Sequence, residues 1–470
     1  MGRALLTDLY ELRMAASFRR RGLDAPATFS LFVRTLPPQR GFLVACGLES
    51  CLEFLDGLAI DDDDLDALAT LGLDDLTIEA LAGLRFTGDV WAVPEGRVVL
   101  AGEPLLEVTA PIAEAQLVET YLLNQVTFAT SIATKAARVR LAAGDRALVD
   151  FAFRRTHGAE AAMTVARASA IVGFAATSNV EAARRFGLSA VGTMAHSYIE
   201  AFEGEVEAFR AFAEDNPANA ILLVDTYDTL AGVRNAVAVI TEMGLGRGNS
   251  RDSGNSDSGD SGAAAGIRLD SGDLAALAQE ARGLLDEAGL TQTQIFVSGG
   301  LDEYAIADLL AAGAPIDAFG VGTKLGVSED APSLESVYKL VAYGGRPMMK
   351  LSTGKASTPG AKQVFRANHA SDASDASPGN AADVIALRDE ASPAGAEPLL
   401  VPVMQNGKRT HFDTLAAARA RFEADLDALP KTAKQIRDPL PPTAGPSADA
   451  AALAAAIEEK LIERDHAPEV

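Results

Sequence analysis

Cysteine is nearly absent from this chain: two residues, Cys46 and Cys51, stand among 470. Their spacing in "VACGLESCLEF" suits neither a zinc knuckle nor a redox dithiol, and a disulfide framework is excluded. Both are expected reduced, on a buried helix face, and neither catalytic. Positive charge is also in short supply. Lys and Arg total 41 against 65 Asp and Glu, a formal net charge of −24. Nucleic acid and anionic membranes are therefore excluded as partners, because a phosphate-binding surface needs clustered cations. Any anionic ligand must be captured locally, against the overall field. Long apolar runs are missing too: no stretch approaches the roughly 20 residues that span a bilayer. The opening "MGRALLTDLYELRM" lacks the charged-then-apolar order of a secretory signal. A soluble, cytoplasmic protein is expected.

What the chain does have is length and apolar content. With 470 residues, 48% of them hydrophobic, it can bury the cores of two or three domains. Two stretches, "GRGNSRDSGNSDSGDSG" (246–262) and "NHASDASDASPGN" (368–380), hold too little apolar area to offset chain entropy. Both are expected as disordered surface insertions. A Pro- and Ala-rich region begins near "DPLPPTAGPSADA" (438–450), and the helix-like "AALAAAIEEKLIERD" follows it.

Between residues 146 and 323 a unit repeats: a short apolar strand, a polar loop, an amphipathic helix. The strands read as "RALVDFAF", "LSAVGTMA", "AILLVDT", "AGIRLD", "QIFVSGG" and "IDAFGVGT". Intervening helices such as "SGDLAALAQEARGLLDEAG" repeat apolar residues every three or four positions and end at Gly. This alternation predicts a parallel sheet, closed as a barrel in preference to open and doubly wound. The expected fold is α/β: an irregular parallel α/β barrel over 136–335 and an α+β sandwich domain over 1–135, completed by strands from about 336–366. A C-terminal extension over 367–470 follows.

The unusual polar residues fall at the C-terminal ends of these strands, which converge on one mouth in a parallel barrel. "FVSGG" places Ser298, Gly299 and Gly300 after one strand, and "GVGT" places Gly322 and Thr323 after the next. Paired Gly-rich loops expose backbone N–H groups to a phosphate monoester; a single one would be an ordinary turn. "DFAFRRTHG" carries Arg154 and Arg155, whose planar forks match phosphate or carboxylate oxygens, where a bland reading would be a surface ion pair. Asp225 and Asp270 can hold ribose hydroxyls or a hydrated Mg2+, whereas Ser271 and Asp273 are expected as helix caps. Arg268 lies on the same segment as Asp270. His196, in "AVGTMAHSYIE", is alone. Such a ring is more often structural, but at a strand end among anion ligands a neutral imidazole can attack phosphorus.

Read together and in order, "LLTDLYELRMA", "RRTHG", "GFAATSNVEAARRFGLSAVGTMAHS", "LLVDTYDT", "IRLDSGDL" and "GVGTKL" with "PSLESVYKLV" make the chain resemble the nicotinate phosphoribosyltransferase family over roughly residues 3–366. The resemblance implies a type II phosphoribosyltransferase barrel that joins nicotinate to phosphoribosyl pyrophosphate, releasing nicotinate mononucleotide and pyrophosphate, with ATP as co-substrate and Mg2+ as cofactor. It implies that His196 is phosphorylated by ATP. It also implies that Tyr10, from a neighbouring subunit of a homodimer, and Phe151 sandwich the pyridine ring. Arg154, with Arg155 beside it, matches the arginine between the nicotinate carboxylate and the pyrophosphate. Arg268 and Asp270 match residues around ribose and pyrophosphate, and Asp225 and Thr193 are expected to bind substrate as well. The loops 298–300 and 322–323 match the holders of the 5'-phosphate. Related nicotinamide enzymes carry Asp where Ser178 stands, so this resemblance favours nicotinate as substrate. The 246–262 insertion and the tail depart from the family pattern.

Competing readings are a nicotinamide enzyme, a quinolinate phosphoribosyltransferase, which would need a more basic pocket and no phosphohistidine, and another barrel enzyme acting on a sugar phosphate. A lyase or isomerase of that kind would want a reactive Lys or Glu at a strand end, and the sequence offers neither. A non-enzymatic barrel would leave the arginines, aspartates and His196 without a shared purpose.

Overall fold

The computed structural model describes residues 4–245, 264–352, 357–367 and 383–465, and the chain divides into two compact units, Met1–Thr134 with Asp330–Val470, and Lys135–Glu329. The insertions expected at 246–262 and 368–380 lie outside the described residues.

The Lys135–Glu329 unit carries a seven-stranded sheet, hydrogen-bonded in the order Ser189–Ala190, Ala176–Thr177, Ala147–Asp150, Ala318–Val321, Gln294–Val297, Ala264–Leu269 and Asn219–Leu223. Every pairing is parallel. Helices connect consecutive strands, as the alternation of periods predicts. Ala176–Thr177 is missing from the strands read in the sequence, because two small residues carry no period of their own. Among the described residues no ladder joins the edge strands Ser189–Ala190 and Asn219–Leu223, and this gap is the barrel's irregularity.

Strand parity explains what faces inward. Val149, Ala176, Ile221, Phe296 and Ala318 form one buried cluster drawn from five strands. Side chains alternate along a strand. The same face therefore continues outward to Phe151, Ser178, Asp225, Ser298 and Gly322, each an even number of residues further along. Arg268 is opposite Phe296 in register, which places Asp270 on that face as well. Residues of the other parity are buried beneath the helices: Leu148, Leu222, Ile267, Ile295, Val297 and Phe319. The loops then end in caps. Asn179, Asp228, Asp273 and Asp302 each accept a backbone N–H three residues on, which satisfies one of the free donors of a helix N-terminus.

The other unit holds a seven-stranded antiparallel sheet in which Pro26–Val33 lies between Pro104–Pro111 and Ser336–Tyr343. Strands from beyond residue 335 thus complete it, and the tail contributes as well: Val401–Gln405 pairs with Asp89–Ala92. Part of the stretch expected as an extension is therefore built into this unit. A second sheet of four strands includes Lys362–Ala367, Asp383–Leu387 and, from the Pro-rich region, Ala444–Pro446. Both sheets and helix Leu48–Asp56 feed one core, with Leu31, Val108, Tyr338, Val364 and Met404 among its members. Cys51 lies on that helix and Cys46 just ahead of it; both are buried and outside any disulfide. No helix among the described residues is long and apolar enough to cross a membrane.

Candidate active site

At the C-terminal ends of the parallel strands one guanidinium organises the neighbouring loops. Arg268 is buried and donates Nε–H to Ser298 Oγ at 2.7 Å, one terminal N–H to Thr193 Oγ1 at 2.9 Å and the other to Asp270 Oδ1 at 2.7 Å. Ser298 Oγ also donates to Asp270 Oδ1 at 2.5 Å. Burial alone would raise the Asp270 carboxyl. The Ser298 hydrogen bond and the Arg268 charge outweigh it, with a smaller contribution from His196, and hold the pKa below the usual carboxylate range. Asp270 is thus ionised at neutral pH and fixed in place.

The Arg268 guanidinium lies 5.4 Å from the centroid of the Phe151 ring, and that ring meets Phe296 at 5.6 Å. Space for Phe151 exists only because residue 320 is glycine. A Cβ there would sit 2.6 Å from a ring carbon of Phe151 and 2.9 Å from one of Phe296. Gly299 meets a similar constraint, since its Cβ would fall 1.9 Å from the Asp270 carbonyl oxygen. With φ of +93° at Gly299 and +63° at Gly300, this loop needs residues without side chains.

Asp225 ties two further segments together. Its Oδ2 accepts the Asp270 N–H at 2.9 Å and the Ser271 hydroxyl at 2.8 Å. Ser271, expected as a helix cap, binds this carboxylate instead, while Asp273 does cap. The other Asp225 oxygen is buried and has no protein partner. Next along the chain, Thr226 Oγ1 lies 3.2 Å from His196 Nδ1, so the half-buried imidazole is oriented through one nitrogen. Arg154 and Arg155 occupy the short 3-10 turn Phe153–Arg155, exposed and without an ion pair among the described residues. Ser178 donates its backbone N–H to the Asp150 carbonyl at 2.8 Å, which anchors it beside the Phe151 loop.

Gly322 and Thr323 open the four-residue helix Thr323–Gly326. That helix is cross-linked to the 298–300 loop by a pair absent from the sequence reading: Lys324 Nζ donates to Asp302 Oδ2 at 2.7 Å. Asp302 and its neighbour Glu303 pin the loop, Glu303 through buried bridges to Lys135 at 2.6 Å and Arg138 at 3.0 Å. Asp150, Thr177, Thr226, Gly320, Asp302 and Lys324 are the residues sequence reasoning missed. Strand parity could have found Gly320; the others depend on contacts between distant segments. Tyr10 belongs to the other unit, on helix Leu9–Arg20, 48% exposed with its hydroxyl donated to Glu11 Oε1 at 3.1 Å.

Among the described residues no cluster of three or more His, Cys, Asp or Glu side chains could cage a metal ion. The unpartnered Asp225 oxygen and the ionised Asp270 suit a Mg2+ that arrives with several waters and substrate phosphates and takes only one or two carboxylates from protein.

Two family models match the chain. The nicotinate phosphoribosyltransferase N-terminal domain covers residues 5–127 and the nicotinate phosphoribosyltransferase family covers 146–369. The nicotinate phosphoribosyltransferase pncB2 of Mycobacterium tuberculosis is 47% identical over 439 residues, 93% of this chain and 89% of that protein. The Bacillus subtilis enzyme of the same description is 44% identical, covering 82% of this chain and 76% of its own. Among solved structures, human nicotinic acid phosphoribosyltransferase superposes with a TM-score of 0.81 at 30% identity, spanning 96% of this chain and 99% of that one. Matched by both models and by relatives along nearly its full length, the chain belongs to the nicotinate phosphoribosyltransferase family.

Proposed function

We propose that the chain carries out its family's transfer, from phosphoribosyl pyrophosphate to nicotinate, with the step coupled to ATP through a phosphohistidine at His196, Mg2+ as cofactor and a homodimer as the working unit. The observation that carries the residue roles is the single network in which Arg268 joins Thr193, Asp270 and Ser298 and overlies Phe151.

In this reading the pyridine ring stacks on Phe151, with Tyr10 of a second subunit on its other face, and its carboxylate meets Arg154 and Arg155. The ring nitrogen has a free lone pair and attacks the anomeric carbon as the C–O bond to pyrophosphate breaks. No general base is required. Rate comes from holding the reactants face to face and from stabilising the leaving pyrophosphate. Arg268 and Asp270 keep the ribose and pyrophosphate in place, and the loops 298–300 and 322–323 take the 5'-phosphate through backbone N–H groups. Bound with the pyrophosphate and held by Asp270 and Asp225, Mg2+ would neutralise the leaving group's charge.

His196 acts earlier in the cycle. With Nδ1–H donated to Thr226 Oγ1, the Nε2 lone pair attacks the γ-phosphorus of ATP; an N–P bond forms, the bridging P–O bond breaks and ADP leaves. The phosphorylated ring changes charge and shape beside the pyrophosphate site, so that ATP energy tightens substrate binding and favours product. Selectivity for the acid follows from Ser178. A carboxylate side chain at that position would repel nicotinate, and a hydroxyl does not.

The test is to incubate the protein with phosphoribosyl pyrophosphate and either nicotinate or nicotinamide, with and without ATP, for wild type and His196→Ala. Nicotinate is consumed, ATP accelerates its consumption, and the variant keeps weak activity that no longer responds to ATP. An equal ATP response in both proteins would remove His196 from the mechanism.

A further inference from the structure

Asp150 ends the Ala147–Asp150 strand, is 1% exposed and faces no cation in any ion pair of the described residues. Burial raises its pKa, and two neutral donors work against that rise. Its Oδ1 accepts the Ala152 N–H at 2.8 Å, and its Oδ2 accepts the Thr177 hydroxyl at 2.7 Å. The first contact is an Asx-type bond to a backbone two residues on; it bends the chain as it leaves the strand. The second reaches 27 residues along the sequence to the neighbouring strand. Thr177 Oγ1 in turn accepts the Asn179 N–H at 3.0 Å, and Asn179 Oδ1 caps the following helix at Ala182. A relay of polar contacts therefore runs from Ala152 through Asp150 and Thr177 to Asn179. It brackets Phe151 on one loop and Ser178 on the other.

We propose that Asp150 and Thr177 are positioning residues for recognition of the pyridine acid, fixing Phe151 and Ser178 in mutual register without touching substrate. This rests on the reading that Phe151 and Ser178 face the pyridine ring. The chemistry calls for a carboxylate. Two donors converge on residue 150 from different segments, and a carboxylate accepts both. An asparagine would satisfy the Ala152 N–H with its oxygen but present its NH2 to Thr177, whose oxygen already accepts from Asn179. The threonine hydroxyl hydrogen would then lose its acceptor in a buried place. An unsatisfied polar group inside the protein distorts its surroundings until it finds a partner. Here the nearest movable partners are the two loops themselves.

Steady-state kinetics on Thr177→Val, Thr177→Ser, Asp150→Asn and Phe151→Leu test this, with nicotinate, nicotinamide and phosphoribosyl pyrophosphate varied separately. Thr177→Val raises KM for nicotinate about tenfold, on the scale of one lost buried hydrogen bond, and narrows discrimination against nicotinamide. KM for phosphoribosyl pyrophosphate stays within roughly twofold, which separates loss of one subsite from general damage. Thr177→Ser, which keeps the hydroxyl, restores wild-type values, and Asp150→Asn falls between. Should Thr177→Val fail to fold, Asp150→Asn must still show the nicotinate-only shift. Parallel changes in both KM values, or a folded Thr177→Val with unaltered nicotinate KM beside an impaired Phe151→Leu, would overturn the positioning role. An unimpaired Phe151→Leu would instead overturn the ring-subsite reading on which it rests.

Discussion

Gly320→Ala adds one methyl group where the inner face of the sheet leaves none. The new Cβ would stand 2.6 and 2.7 Å from two carbons of the Phe151 ring and 2.9 Å from one of Phe296. Ordinary carbon contacts lie at about 3.5–4.0 Å, so the Phe151 ring must retreat by roughly 1 Å. That displacement disturbs the ring's contacts with Phe296 and with the Arg268 guanidinium. Overpacking of this kind costs about 1–3 kcal/mol of stability, tolerable for a folded enzyme. The catalytic cost is larger, because a misplacement of about 1 Å lowers rate by up to roughly 10²-fold. kcat/KM for nicotinate, measured beside a thermal melt, separates the two effects. A matched control is Gly283→Ala in helix Leu274–Glu287, where a Cβ meets nothing within 4 Å. That variant should gain about 1 kcal/mol from helix propensity and keep full activity. If Gly320→Ala keeps kcat/KM for nicotinate within roughly threefold while folding normally, the Phe151 ring does not position substrate.

Arg268→Lys keeps the charge but loses the fork that reaches Ser298, Thr193 and Asp270 together. Losing two of these charge-assisted bonds at about 1.5–3 kcal/mol each predicts a fall in kcat/KM of at least about 10²-fold, read by initial rates; retention of activity would remove Arg268 as the organising group. Glu303→Gln removes the buried carboxylate that bridges Lys135 and Arg138 and is expected to cost about 3–5 kcal/mol, visible as a lowered melting or denaturant midpoint of this unit. The Asp302–Lys324 tie carries a pH signature. Burial would raise the Asp302 carboxyl, but the Ala305 N–H and the Lys324 ammonium together lower it. The bond to Asp302 raises Lys324. A depressed acid contributes stability above its unfolded pKa and loses it as pH falls through the folded one; a raised base loses its share as pH rises through its own. The destabilisation of Lys324→Met relative to wild type should therefore be constant from about pH 5 to pH 9 and shrink at both extremes. A midpoint difference that does not change with pH would refute the tie.

The placement of the candidate site at the strand ends was legible because strand period and site geometry obey one rule. The alternation that buries Val149, Ile221 and Phe296 carries Phe151, Asp225 and Ser298 onto the same face, so polar residues at the ends of apolar strands could be recognised as pointing inward. The second layer was not legible. Thr177 contacts Asp150 across 27 residues and Lys324 contacts Asp302 across 22. Such bonds depend on which strands are neighbours and in what register, and local periodicity encodes neither. Ser271 shows the same limit, since as a sequence neighbour of Asp273 it looks like a cap until the adjacent strand brings Asp225 beside it. The tail was underestimated for a related reason. Val401–Gln405 pairs with a strand more than 300 residues earlier, a partnership no local pattern announces.

The charge inventory of the site then explains how so acidic a protein can hold polyanionic substrates. Arg268 is matched by Asp270 and Lys324 by Asp302, so each pair is nearly neutral and adds rigidity in place of field. With a net charge of −24 in the chain, long-range attraction cannot draw phosphates in, and exposed charges are screened beyond about 8–10 Å at ordinary salt. Capture in the proposed reading is therefore short-range, through backbone N–H groups of the loops at Gly299, Gly300 and Gly322 and through the guanidinium groups of Arg154 and Arg155, which no carboxylate neutralises among the described residues. In the proposed reading these two guanidinium groups are the ones that meet the substrate's own carboxylate and pyrophosphate.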